Sequence, residues 1–89
     1  MATLFVRHTV TDYAAWRKAY EAFAPIQLAS GVVAQAVYQG ADNPNDVTVT
    51  HDFTTLEAAR AFTKLEELRT AMQSGGVIGT PTVWFTQKV

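Results

Sequence analysis

No cysteine occurs anywhere in the chain. That excludes a disulfide framework, a thiol nucleophile and any thiolate-held metal or cluster. Charge is scarce as well: Asp, Glu, Lys and Arg make up 17% of the residues, seven basic against eight acidic, and neither sign forms a run. Nucleic acid and anionic membranes are recognised through concentrated basic patches, so neither is an expected partner. No apolar stretch approaches the roughly 20 residues that cross a bilayer, and the opening Met1–Val6 is too short for a secretory signal. The expected location is therefore cytoplasmic. Phosphate-binding loops, dinucleotide fingerprints and serine nucleophile elbows are missing. Two histidines and a nearby aspartate with opposed facings make a poor ligand set, so no metal is expected.

What is present is apolar. Hydrophobic residues make up 48% of 89, which suits one domain spanning residues 1–89. A chain of this length buries only about 60–65% of the surface its unfolded form exposes, so such a composition predicts that another surface covers part of it. A second copy is the simplest cover, and a homodimer is expected.

Thr3–His8 is short and rich in β-branched and aromatic residues, and reads as a first strand. Thr11 and Asp12 are helix-start residues, after which Tyr13, Trp16, Tyr20 and Phe23 recur at helical spacing. Pro25 interrupts that helix or begins a continuation through Ile26–Ala29, and Ser30-Gly31 ends it. Val32–Gln39 reads as strand two, and Gly40–Asp46 as an open turn too long for a tight hairpin. Val47–Phe53 reads as strand three, with Val47, Val49, His51 and Phe53 on one face. Thr54 with Glu57 fits a capping box that opens a helix to about Ser74, bent near Thr63-Lys64, with Leu65, Leu68 and Met72 as its apolar stripe. Gly75-Gly76 stops it, and Pro81 introduces strand four, Thr82–Gln87.

The order β-α-β-β-α-β predicts an α+β, ferredoxin-like domain with a four-stranded, antiparallel-type sheet and both helices on one face. Strands one and three are expected side by side and parallel in the centre. The opposite face, carrying Phe5, Val37 and Trp84, would then meet the second copy.

Several segments together carry a family likeness: Val6-Arg7-His8 with Val10, Asp12-Tyr13 and Trp16; the Asp42–Asn45 turn; Leu56-Glu57 with Ala59–Phe62; Glu67-Leu68-Arg69 with Ala71-Met72; and Gly79-Thr80-Pro81. The chain resembles small dimeric α+β-barrel proteins of the antibiotic-biosynthesis-monooxygenase-like superfamily, often labelled cyclase or monooxygenase-like. The resemblance implies two sheets facing each other in a dimer and a pocket between sheet and helices in each subunit. It also implies a range of activities, from cofactor-independent oxygenases and cyclases of aromatic polyketides to haem-degrading enzymes. One departure is His51, where the family pattern leads one to expect an aliphatic residue. The Asn and His arrangement of the haem-degrading branch has no clear match, because Asn43 and Asn45 fall in a turn.

Parallel central strands would gather Arg7, His8, His51 and Asp52 at one sheet edge, where both helices would also begin. His51 and His8 would share the helix-facing side and could supply acid–base chemistry near neutral pH. Tyr13, Trp16, Tyr20 and Phe53 would offer a flat aromatic ligand a stacking surface and hydrogen-bond donors. Each also has a plain structural reading: a core-edge histidine bonded to a carbonyl or a tyrosine, and an apolar stripe that any helix on a sheet requires. Arg7 and Asp52 are expected to form a structural ion pair on the dimer side. Two functions follow. One is a cofactor-free enzyme, a monooxygenase or cyclase acting on a hydrophobic aromatic or polyketide-like molecule with His51 as base and His8 assisting. The other is a non-catalytic dimeric domain for ligand binding or association, with structural histidines.

Overall fold

Alternation builds the sheet. In β1 (Ala2–Val10) the residues Ala2, Leu4, Val6, His8 and Val10 are buried while Thr3, Phe5, Arg7 and Thr9 turn the other way. In β3 (Asn43–Phe53) Val47, Val49, His51 and Phe53 are buried in the same manner. Such two-residue periodicity marks strands with one face packed on a core. The computed structural model describes all 89 residues. Its remaining elements are α1 (Tyr13–Ala22), α2 (Ala24–Ala29), β2 (Val32–Gly40), α3 (Leu56–Thr63), α4 (Glu66–Ser74) and β4 (Val77–Gln87). The sheet order is β2-β3-β1-β4, so β2 and β4 are its edges.

The central pair is antiparallel, not parallel as expected: Leu4 lies across from His51, Val6 across from Val49, and His8 across from Val47. Topology dictates it. The helical crossover returns β2 in the direction of β1, and the hairpin then reverses the chain once to make β3. Consequently α1 and α3 start at opposite ends of the sheet, and their N-termini do not converge. The hairpin is also tighter than expected. Gly40 pairs with Asn43 around a two-residue turn, and Pro44 to Asp46 lie in the irregularity that follows Gln39. A proline there takes no donor from the ladder.

Caps and breaks fix the helices. The Asp12 side chain accepts the Ala14 N–H at 3.2 Å to open α1. Pro25 sits in the first turn of α2, where its missing N–H costs nothing. The cap of α3 is Thr55 rather than Thr54, its hydroxyl accepting the Ala58 N–H at 3.1 Å. The long helix expected to Ser74 is broken outright, since Leu65 adopts an extended conformation between α3 and α4. Gly76, with φ +79°, ends that segment; a Cβ there would meet the Thr11 hydroxyl at 2.5 Å.

All four helices cover one face. Leu4, Val6, Phe23, Val32, Phe53, Ala59 and Phe62 form the larger core cluster, and Val10, Trp16, Val47 and Val49 the smaller. Val37 packs on the second cluster, so it belongs to the helix side and not to the open face expected from the sequence. The open face carries Phe5 stacked on Trp84 at 5.1 Å, flanked by Thr3, Thr48, Thr50, Thr82 and Thr86. Arg7 and Asp52 do share that face, but antiparallel pairing sets Arg7 beside Thr48 and Asp52 beside Thr3. Arg7 pairs instead with Asp46, at 3.0 and 2.7 Å, and Asp52 accepts the Thr3 hydroxyl at 2.6 Å.

β4 breaks step with β1 at one point. Arg7 pairs with Thr82 and Thr9 with Ile78, which leaves Gly79-Thr80-Pro81 opposite the single residue His8. Gly79 has φ +71° and Pro81 lies inside an edge strand; a bulge tolerates both.

Candidate functional site

A cavity of about 40 Å³ lies between the sheet and the helices. The sheet supplies Val6, Val49, His8 and His51 to its floor. Helix α1 contributes Trp16 and Tyr20, α3 contributes Phe62, and α4 contributes Leu68, Ala71 and Met72. Phe23 and Gln27 close one side. The lining is largely apolar, so each polar atom on it stands out.

The two histidines reach this cavity because antiparallel alternation puts both on the helix face. They stand four residues apart along the ladder, His8 across from Val47 and His51 across from Leu4, so their backbones are separated by about 13 Å of strand rise. An aromatic chain spans that interval. His8 packs edge-on against Trp16 at 5.6 Å, Trp16 stacks on Tyr20 at 4.9 Å, and Tyr20 lies 6.1 Å from the His51 ring. His51 also packs on Phe62 at 5.2 Å.

Both imidazoles are buried, at 7% and 4% exposure. Neither ring nitrogen of His8 has a hydrogen-bond partner, and neither does Nδ1 of His51. The only polar contact to either ring is the Tyr20 hydroxyl, 3.5 Å from Nε2 of His51. Of the partners a structural histidine was expected to have, a carbonyl or a tyrosine, His51 has the Tyr20 hydroxyl at that long distance and His8 has neither. Buried polar groups in folded proteins are nearly always satisfied, so three orphaned nitrogens around one cavity are a departure that calls for an explanation.

Burial governs their charge. Loss of solvent pushes His51 down to about 4, a shift the neighbouring Asp52 opposes only weakly. Desolvation lowers His8 too. Both rings are therefore neutral at pH 7, each with one nitrogen able to accept a proton. Burial raises the Tyr20 phenol, against smaller pulls from Gln27 and Arg17.

Trp16 and Tyr20 thus meet both histidines on one cavity, whereas Tyr13 and Phe53 do not line it. Tyr13 packs on Trp16 at 5.8 Å from outside, and its N–H donates to the Asn45 side chain at 3.2 Å. Phe53 is wholly buried in the core against Phe62. Sequence reasoning passed over Gln27, Gln35 and the wall formed by Phe62, Leu68 and Met72. Leu68 and Met72 were visible as a helical stripe, but the break at Leu65 that sets α4 apart from α3 was not. Gln35 gains its place from the strand register, which sets it across from His51. No group of three or more His, Asp or Glu side chains is arranged to hold a metal ion.

Beyond β1 lies an open polar depression of about 420 Å³, bordered by Arg7, Asp46, Asn43, Thr80 and Thr82. His8 borders this one as well, because the bulge in β4 leaves a gap beside it.

No protein-family model and no curated protein matches the sequence. The three-dimensional comparison is different: this is the fold of the antibiotic biosynthesis monooxygenase-like proteins, matched over the whole chain. A candidate antibiotic biosynthesis monooxygenase from Bordetella bronchiseptica is similar with a TM-score of 0.84 at 16% identity, over 99% of this chain and 96% of that one. Its counterpart from Nitrosomonas europaea gives 0.78 at 15%, over 100% and 99%. SnoaB, a cofactor-independent oxygenase from Streptomyces nogalater, gives 0.75 at 14%, over 99% and 94%. At these identities the likeness is one of fold.

Proposed function

We propose that the protein binds a hydrophobic, aromatic or polyketide-like small molecule in the helix-side cavity and draws a proton from it with His51. Cofactor-independent oxygenation or cyclisation is the chemistry that would follow. The observation that carries this is a pair of buried histidines, three of their ring nitrogens without a partner, that line one apolar cavity. Such nitrogens cost stability where they are, and a ligand with an oxygen near each ring would give them partners. The fold shared with SnoaB, described as a cofactor-independent oxygenase, adds to the reading.

A neutral His51 suits an acidic phenol or enol. Transfer from the ligand creates an imidazolium beside a ligand anion, and in an apolar cavity that pair stabilises itself, lifting the base from its resting value of about 4. His8, at the other end of the aromatic chain, would hold a second oxygen. The resting cavity is about 40 Å³, whereas a benzene-sized guest needs about 150 Å³. Entry therefore requires the wall to yield. Helix α4 is the part that would give way, since it has no fully buried residue and presents the flexible Met72.

The homodimer belongs to the same proposal. Phe5 and Trp84 form an apolar centre with a rim of threonines on the open sheet face, and a specific interface there should bury more than about 1,200 Å² in total. The second reading, a ligand-binding or association domain without turnover, is favoured by one observation. A base with a resting value near 4 is weak at neutral pH.

The deciding experiment measures dioxygen uptake and product formation with a panel of phenols, naphthols and hydroxyanthrones in metal-free buffer. Ligand binding is followed in parallel by Trp fluorescence. Turnover that vanishes in His51→Leu while the variant stays folded supports the enzyme. Binding without turnover, retained in His51→Leu, leaves the binding domain. Neither binding nor turnover across the panel removes the proposal.

A further inference from the structure

We propose that Gln35 and Tyr20 together fix His51 as the tautomer protonated on Nε2, so that Nδ1 is the nitrogen that receives a proton. This rests on the proposed role of His51 but names the atom and the residues that set it.

The geometry leaves few alternatives. Gln35 lies directly across from His51 on the edge strand β2, and Tyr20 arrives over both from α1. The Tyr20 hydroxyl is 2.6 Å from Oε1 of Gln35. That separation fits an O–H···O bond and is shorter than N–H···O bonds run, so the amide presents its oxygen and the phenol donates. A phenol carries one proton, and Gln35 takes it. Toward His51 the Tyr20 oxygen has only lone pairs to offer, at 3.5 Å from Nε2. A bare Nε2 would set lone pair against lone pair; a protonated one makes a long but attractive contact. The second ring nitrogen, Nδ1, has no partner, and the residue that carries it lines the cavity.

Tyr20 is itself held in position. Its ring stacks on Trp16 at 4.9 Å, and the Arg17 guanidinium sits 5.5 Å from its centroid. Gln35 and Tyr20 are therefore positioning residues: they act through His51, much as a third group orients the base in a catalytic triad.

The test is a long-range proton–nitrogen correlation spectrum of the full chain with ¹⁵N-labelled histidine, without ligand, at neutral pH. The expected result is a His51 Nε2 that carries a proton and an Nδ1 that does not. Gln35→Leu removes the acceptor, frees the phenol to donate to Nε2, and should invert the pattern to Nδ1–H. Gln35→Glu keeps an acceptor in place and should retain the original pattern. Gln35 is exposed on an edge strand, and an unchanged amide spectrum shows that each variant is folded. A wild-type His51 protonated on Nδ1 overturns the proposal, and so does a Gln35→Leu spectrum identical to wild type. With a turned-over substrate in hand, Gln35→Leu should lower kcat by about tenfold or more with little change in KM, and Gln35→Glu should restore it. If the tautomer behaves as expected while His51→Leu leaves turnover and binding intact, the enzyme reading falls and the tautomer assignment stands.

Discussion

Acidification is the sharpest probe of the buried His51. In the unfolded chain this imidazole takes up a proton around its ordinary value of 6.5, whereas in the fold it resists until about 4. Between those values the unfolded state binds more protons, so the free energy of unfolding falls as pH falls. At about 1.4 kcal/mol per pKa unit, the loss from His51 alone is about 3 kcal/mol across that window. No discount for solvent is due, because the ring is 4% exposed. His8, lowered by burial as well, adds to the slope in the same direction. The Asp46 carboxyl, held down by its hydrogen bonds to Arg7, is the same in wild type and His51→Leu and so cancels when the two slopes are compared. Urea unfolding followed by Trp fluorescence, from about pH 7 to about pH 4 at fixed protein concentration, should show the wild type losing stability steeply. His51→Leu should be neutral or stabilising at pH 7 and lose much less on acidification, keeping only the His8 share. An unchanged pH slope in His51→Leu would refute the reasoning, as would a His51 titration midpoint near 6.5 by NMR.

Thr55→Ala should cost about 1 kcal/mol by removing the cap of α3, while Thr54→Ala should be nearly silent in the same urea assay. A double-mutant cycle should couple Arg7 to Asp46 by no more than about 1 kcal/mol, as for an exposed pair, and should give no coupling between Arg7 and Asp52. Gly76→Ala should lower stability by more than about 1 kcal/mol, because alanine resists the positive φ and its methyl meets Thr11. Trp84→Arg should shift a sedimenting dimer to monomer, and a wild type already monomeric at micromolar concentration would remove the dimer from the proposal.

The fold was legible wherever periodicity carried it. The period-two runs around Leu4–His8 and Val47–Phe53 and the period of Tyr13, Trp16 and Tyr20 named the elements and their buried faces. What the sequence obscured was relation between elements. Treating β1 and β3 as parallel put Asp52 beside Arg7, when one hairpin reversal makes Thr3 its neighbour. Val37 was assigned to the open face because the offset between β2 and β3 sits in irregularities at Val32 and Gln39 that local pattern does not reveal. Even so, His8 and His51 line one cavity, because the shared helix-facing side read from alternation holds although the common sheet edge does not. What alternation alone did not reveal is the aromatic chain of Trp16 and Tyr20 that spans the interval between them. Gln35 was invisible without the register, as a lone glutamine on an edge strand reads as solvated surface.

The wall and floor of the cavity have separate owners. Its imidazoles come from the sheet, on strands pinned by ladder hydrogen bonds, while part of its wall comes from Leu68, Ala71 and Met72 on α4, a helix without a fully buried residue. Changes of side-chain size along that helix can resize or reshape the chamber while the imidazoles stay where the strands hold them. If the proposed function holds, selectivity and reactivity are separately adjustable in this architecture, and a library confined to three positions on one short helix would sample new guests without moving His51.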